Sequence, residues 1–281
     1  MLGEIKEIKT IHEALKDISY DTWLILDLDN TVMESRLELG GDAWFSALLT
    51  HATQHVTDKE QATALVIAIY RTIQFYVRTK AVESDIVAVI KGLQDIGIPV
   101  IGLTARDYFL SKATVRQLAD IDIDFSRTHL APVYGSMYER GIIYCDGRHK
   151  GEAFKQFLDH CQSWPSHIVM LDDKKGHLHH VHEVVEPLGI RFTGARYGFL
   201  DEKVKQFDME KSKIQLAHLK ARLPKYAQEV IEQLQLHPQD DDFDERLSPS
   251  AAYGFFLSDS PRGSVSSDDE SYDSERAKTL S

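Results

Sequence analysis

Two carboxylates one residue apart, Asp27 and Asp29, close an apolar run in the stretch LILDLDNTV at residues 24–32. Side chains at i and i+2 of an extended chain share a face, so both can address one crevice while Leu28 packs away. Like charges this close disfavour each other's ionisation unless positive charge intervenes, and a hard divalent cation is the economical source of it. Mg2+ suits such a site, because it takes one or two carboxylates and fills its other positions with waters and phosphate oxygens. Beside such an ion, one carboxylate can attack a phosphoryl group and become an aspartyl phosphate. The second can protonate the leaving oxygen and later deprotonate the hydrolytic water. Polar residues close other apolar runs as well: Thr104 ends VIGLT, and Asp172 and Asp173 end HIVMLDD.

These side chains need a scaffold that brings several strand ends together. The runs TWLILDL, PVIGLTARD, SHIVMLDD and IRFTGARY are short and continuously apolar, as expected of parallel strands buried on both faces. They alternate with helical patterns, which predicts an α/β fold with a Rossmann-like parallel sheet and helices on both faces. Ligands in such sheets bind beyond the carboxyl ends of the strands, where Asp27, Asp29, Thr104, Asp172 and Asp173 lie. Between the runs, apolar positions Ile5, Ile8, Ile11, Leu15 and Ile18 predict a helix over 4–18. Trp44 to Arg78 reads as two helices broken near Asp58, and a further helix opens on Ser84 and closes on Gly97. SKATVRQLADI, GEAFKQFLDHC and HLHHVHEVVEPLG read as helices, and 131–146 as a hairpin turning at Tyr138-Glu139-Arg140-Gly141. One last helix is expected over 208–236 on the stripe Ile214, Leu216, Leu219, Leu223, Val230 and Leu234.

The motifs taken together resemble those of the haloacid dehalogenase (HAD-like) superfamily. LDLDNTV resembles its first motif, DxDx(T/V) in the phosphatases, and VIGLTAR resembles the second, in which a strand ends in Thr or Ser. The Lys of RHKGEAFKQFL stands where the third motif places its lysine, and IVMLDDKK resembles the acidic fourth. Order and separation fit over residues 20–200. More narrowly, LELGGDAWF, VIGLTARD, HKGEAFKQFL, LDDK and RYGFLDEKVKQFD resemble an uncharacterised bacterial branch with no assigned substrate. The resemblance implies a HAD-like core over 1–33 and 83–207 and a helical insert over 34–82 similar to a small C1-type cap. It leaves 208–237 as a C-terminal helix. Trp44 and Phe45 would belong to the cap's core or line the substrate pocket.

The activity so implied is Mg2+-dependent hydrolysis of a phosphomonoester, on a small molecule or a phosphoprotein. Asp27 would be nucleophile and metal ligand, and Asp29 the general acid/base with its backbone carbonyl on the metal. Members that cleave carbon–halogen bonds lack this second aspartate. Thr104 and the Ala105 N–H would hold the transferring phosphoryl oxygens, and Lys150 would offset negative charge around Asp27. Asp173 and Asp172 would complete the metal site, and which of them ligates directly is left open by the DD pair. Asn30 and Thr31 would sit on the substrate side; Arg106 either touches the phosphate or forms a surface ion pair. Transfer to an acceptor other than water is the alternative chemistry.

Composition narrows the partners. Residues 238–281 hold 11 acidic and 4 basic residues, so this stretch carries −7 of the net −12 and the rest only −5. That balance speaks against a nucleic-acid-binding face. The tail is acidic and Ser-rich and reads as disordered, with AAYGFFL at 251–257 as a possible docking segment for a protein partner. No apolar run is long enough for a membrane span, and MLGEIKEIKTIHEALKDI lacks a signal-peptide core. Cys145 and Cys161 show no metal or redox spacing and read as free thiols in a reducing compartment. A cytoplasmic protein is expected. The alternative is an effector secreted into a host cell without a classical signal peptide, its tail directing export or binding a partner. His179 and His182 are read as helix-surface groups, and Lys174 and Lys175 as a solvated helix start.

Overall fold

The computed structural model describes residues 3–128, 137–161 and 164–238. The expectations for 239–281, and for the opening of the hairpin at 131–136, lie outside those residues. The elements in chain order are β1 (Gly3–Ile8), α1 (Ile11–Ala14), β2 (Thr22–Leu26), β3 (Met33–Ser35), α2 (Asp42–His55), α3 (Lys59–Gln74), β4 (Thr79–Ala81), α4 (Ile86–Asp95), β5 (Val100–Thr104) and α5 (Ser111–Ala119). They continue as β6 (Tyr138–Glu139), β7 (Ile142–Tyr144), α6 (Lys150–Asp159), β8 (His167–Asp172), α7 (Lys175–Val185), β9 (Arg191–Tyr197), α8 (Asp201–Lys205), α9 (Met209–Lys220) and α10 (Lys225–Gln233).

The fold is α/β. A seven-stranded sheet runs β1-β9-β8-β2-β5-β7-β6, parallel at every pairing except β6 with β7. Alternate residues of β2 feed two cores. Leu24 and Leu26 pack with Ile86, Ile90 and Leu118 on the α4–α5 side. Trp23 and Ile25 pack with Phe154, Phe157 and Val181 on the α6–α7 side. Helices therefore cover both faces, and this accounts for the unbroken apolar runs of β2, β5 and β8. Leu26 pairs with Gly102 on one side and Leu171 on the other, so Asp27 follows level with Asp172 at the carboxyl edge.

A third core lies in a helical unit beside this edge. Trp44, Leu48, Ile69 and Ile73 of α2 and α3 pack against Leu216, Leu219, Ala227 and Ile231 of α9 and α10. The break expected between α2 and α3 is present, with Asp58 capping the N–H groups of Glu60 and Gln61. The single helix expected over 208–236 is instead two, because Pro224 offers no N–H to continue the first and starts the second. These helices do not stand apart from the 34–82 insert: they complete its core.

The helix expected over 4–18 is also corrected. Residues 3–8 form β1, paired in register with β9 from Gly3–Phe192 to Ile8–Tyr197, and only a short α1 follows. Isoleucines three apart share a helix face but fall on opposite faces of a strand. In β1, Ile5 packs against the α6–α7 core and Ile8 into the α4–α5 core. An edge strand tolerates the neighbouring Glu4, Lys6 and Glu7. Helix α4 begins after Asp85 without a side-chain cap, and Ser84 instead donates to Asp85. In the β6–β7 hairpin the two-residue turn is Arg140-Gly141, both at positive φ (50° and 81°).

Candidate active site

The chain leaves β2 at Asp27, whose N–H donates to Leu171 O at 2.9 Å. Beyond it, Leu28 O accepts the N–H groups of Val32 and Met33, both at 2.9 Å, and Asn30 takes a left-handed φ of 61°. An asparagine tolerates that backbone better than most residues. This tight loop keeps Asp27, Asp29 and Asn30 at the carboxyl edge of the sheet.

Lys150 is the first residue of α6 and is 1% exposed. Its ammonium lies 2.5 Å from Asp27 Oδ1 and 2.6 Å from Asp172 Oδ2. The helix reaches this depth because Gly151 abuts α7; a Cβ there would stand 2.1 Å from His180 O. Asp172 also accepts the Lys174 N–H at 2.9 Å and pairs with His177 Nδ1 at 3.0 Å. Asp173 accepts from Asn30 Nδ2 at 3.3 Å through one oxygen, whereas its buried Oδ1 has no hydrogen-bond partner among the described residues.

The electrostatics follow from this arrangement. Burial drives the Asp27 carboxyl well above its ordinary range, with Lys150 opposing and Asp172 and Asp173 adding to the shift. Burial acts on Asp172 too, but Lys150 and His177 outweigh it and hold that carboxyl low. Asp173 is pushed up to about 6 by burial, against Lys174 and with Asp42 and Asp172. Burial alone would lower the Lys150 ammonium, yet Asp172 and Asp27 raise it, so it stays charged. Asp27, Asp172 and Asp173 can each offer an oxygen within 4.8 Å of the others. An all-carboxylate donor set fits a hard divalent cation, and the orphaned Asp173 Oδ1 is the oxygen free to take it.

A second ion pair lies beside the first. The Arg106 Nε and Nη2 fork onto Asp29 Oδ2 and Oδ1 at 2.8 and 2.7 Å. Nη1 donates to Thr114 Oγ1 at 3.1 Å and Gln117 Oε1 at 2.6 Å, and Nη2 reaches Gln74 Oε1 at 3.4 Å. These contacts engage the full donor set of a guanidinium. The expected alternative of a surface ion pair is corrected, because Arg106 is 6% exposed. Burial works against its charge, but Asp29 overcomes that. Thr104, at the end of β5, is buried and its hydroxyl accepts the Arg106 N–H at 3.2 Å. Thr31 is buried, its hydroxyl without a partner among the described residues, and Ala105 is exposed.

The fold thus gathers Asp27, Asn30, Lys150, Asp172 and Asp173 in one cluster, with Asp29, Thr104 and Arg106 adjoining. Asp29, Ala105 and Arg106 also line a cavity of about 420 Å³ between the sheet edge and α2–α3. Sequence reasoning missed His177, which turns onto Asp172 while His179 stays exposed and His182 stacks on Phe192 at 5.3 Å. Its place just after the strand-end aspartates was the available signal. Lys174, read as part of a solvated helix start, is exposed at the start of α7 and also pairs with Asp42 at 2.5 Å. Gln74 and Gln117 carried no signal at all.

Residues 4–231 match the family described as "Protein of unknown function (DUF2608)", and the chain belongs to that family. A "Putative outer membrane protein//CPj1034/CpB1074" of Chlamydia pneumoniae is 27% identical over 198 residues, covering 68% of this chain and 76% of the relative. A "Putative outer membrane protein" of Chlamydia trachomatis is 28% identical over 203 residues, covering 68% and 77%. Another of that name in Chlamydia muridarum is 28% identical over 206 residues, covering 69% and 78%. No solved structure matches the chain. The relatives' names overturn the localisation expected from the sequence, cytoplasmic or delivered into a host cell. That expectation rested on the lack of a long apolar segment and of a signal-peptide core, and on Cys145 and Cys161 read as free thiols. Among the described residues no helix is long and apolar enough to cross a membrane, which says nothing of a β-barrel.

Proposed function

We propose that this member of the DUF2608 family is a Mg2+-dependent phosphatase of the HAD-like type, hydrolysing a phosphomonoester through an aspartyl phosphate on Asp27. The observation that carries the reading is Lys150, buried between Asp27 and Asp172 at the carboxyl edge of the sheet, beside the unpartnered oxygen of Asp173. A lone strand-end carboxylate has structural explanations; two carboxylates on one buried ammonium, with a third alongside, have few. Asp27 and Asp173 would hold the Mg2+, with Asp172 already engaged by Lys150, Lys174 and His177. Bound there, the ion would draw Asp27 into its anionic form and neutralise charge on the phosphate.

In the first step Asp27 Oδ attacks phosphorus, the P–O bond of the ester breaks, and the leaving oxygen takes a proton from Asp29. In the second step water attacks the acyl phosphate, its proton passes to Asp29, and inorganic phosphate leaves with Asp27 restored. Lys150 keeps positive charge against Asp27 throughout. Arg106 orients Asp29 through its two-pronged contact. Thr104 and the Ala105 N–H face the transferring oxygens. The unit built from α2, α3, α9 and α10 serves as the cap, narrowing the water's access to the site.

The relatives' printed name supports an envelope location for this chain, which fractionation of cells that express it checks. Asp27→Asn is expected to abolish Mg2+-dependent phosphatase activity while the far-UV spectrum and cooperative melt persist. Undiminished turnover in that variant would overturn the assignment.

A further inference from the structure

The cavity beside Asp29 shows what kind of alcohol it can hold, an inference that rests on the phosphatase reading. Its volume, about 420 Å³, falls within the range of about 300–1,000 Å³ common for small-molecule sites. One wall is apolar: Phe45, Ile67 and Tyr70 from α2 and α3, closed by Leu110. Tyr70 is fixed between aromatic neighbours, stacked on Trp44 at 6.1 Å and meeting Phe45 edge-on at 4.9 Å. A rigid aromatic wall of this kind favours a planar or apolar group laid against it.

The rest of the lining is charged, but every cation among the described lining residues is already matched. Arg106 forks onto Asp29, Arg71 holds Asp107 at 2.7 Å, and Lys174 holds Asp42 at 2.5 Å, all six groups lining the same cavity. Asp146 is the carboxylate left over, accepting only the Tyr108 N–H at 3.1 Å among the described contacts. A second phosphate or a carboxylate on the substrate would meet negative charge with no unmatched lysine or arginine to receive it.

We infer that the cavity selects phosphomonoesters of uncharged, ring-bearing alcohols and rejects substrates carrying a second anionic group. The apolar lining, beside cations that are already charge-matched, is the structural basis for both preferences.

Acetyl phosphate, too small to use the wall, first separates the two levels of the argument. Its Mg2+-dependent hydrolysis, lost in Asp27→Asn, supports the phosphatase reading alone; no hydrolysis would overturn that reading and this inference with it. Two primary-alkyl esters of similar leaving-group chemistry then test the preference. The value of kcat/KM for 2-phenylethyl phosphate is expected to exceed that for glycerol 1-phosphate by about tenfold or more, as for burial of at least one methylene equivalent. Fructose 1,6-bisphosphate is expected to be turned over less well than fructose 6-phosphate. Equal or reversed order in either comparison, with acetyl phosphate still hydrolysed, would overturn the inference and leave the phosphatase reading standing.

Two variants locate the cause. Phe45→Ala should reduce the phenylethyl-to-glycerol ratio, and Phe45→Tyr should restore it. Asp107→Asn, by leaving Arg71 unmatched, should raise the bisphosphate-to-monophosphate ratio. Ratios that do not move in correctly folded variants would count against the walls as the source of selectivity.

Discussion

The two ion pairs at the carboxyl edge of the sheet differ in how completely they are satisfied. Around Asp29, the guanidinium of Arg106 spends its donors on Asp29, Thr114, Gln117 and Gln74. Around Asp27, a single ammonium is shared by two carboxylates, and a third carboxylate keeps a buried oxygen with no partner. The first arrangement fixes an orientation. The second is short of positive charge, and its three acids are held differently: Asp27 and Asp173 are pushed up and Asp172 is held low. A planar fork suits the first task and a compact point charge the second.

The contrast breaks most visibly at Lys150. Lys150→Met leaves Asp27 and Asp172 buried without their cation, and the expected loss is about 3–5 kcal/mol of unfolding free energy, read from urea titration. A loss under about 1 kcal/mol would mean that the cluster is not held by this charge. Arg106→Lys should have a smaller effect, about 1–3 kcal/mol, because an ammonium can still reach Asp29 but cannot make the fork or serve both glutamines. If it matches Lys150→Met, the distinction between the two pairs fails.

The smallest expected effect concerns Asp173. Its folded-state pKa of about 6 lies above the ordinary carboxylate value of 3.8. The folded protein thus holds the proton more tightly than the unfolded chain. Asp173's contribution to stability is full below about pH 4 and is lost as pH rises through about 6. In EDTA the melting temperature should fall across that window, and Asp173→Asn should flatten the fall. Mg2+ should raise the melting temperature more at pH 7.5 than at pH 5; equal shifts would remove Asp173 from the cation site.

What was legible in the sequence follows from how local the cause is. β2, β5 and β8 declare themselves because burial on both faces makes them continuously apolar, and strand-end positions then bring Asp27, Thr104 and Asp172 together. Strand β1 was hidden because its pairing partner β9 comes 189 residues later in the sequence, and charged edge residues mimic an amphipathic helix. The burial of Arg106 was hidden for a similar reason, since Gln74 comes from a helix 32 residues back and Asp29 from just beyond β2. A stripe on 208–236 announces that something covers it, but not that the cover is α2 and α3.

That last packing has a consequence for the order of synthesis. The helices bearing Trp44, Leu48, Ile69 and Ile73 leave the ribosome long before α9 and α10 do. Until residues 209–233 emerge, this apolar face has no cover, and a nascent chain halted short of them presents it to the cell. The sheet can close around β9 while the helical unit waits for the chain's later turns, so incomplete chains are the form of this protein most exposed to aggregation and to chaperones.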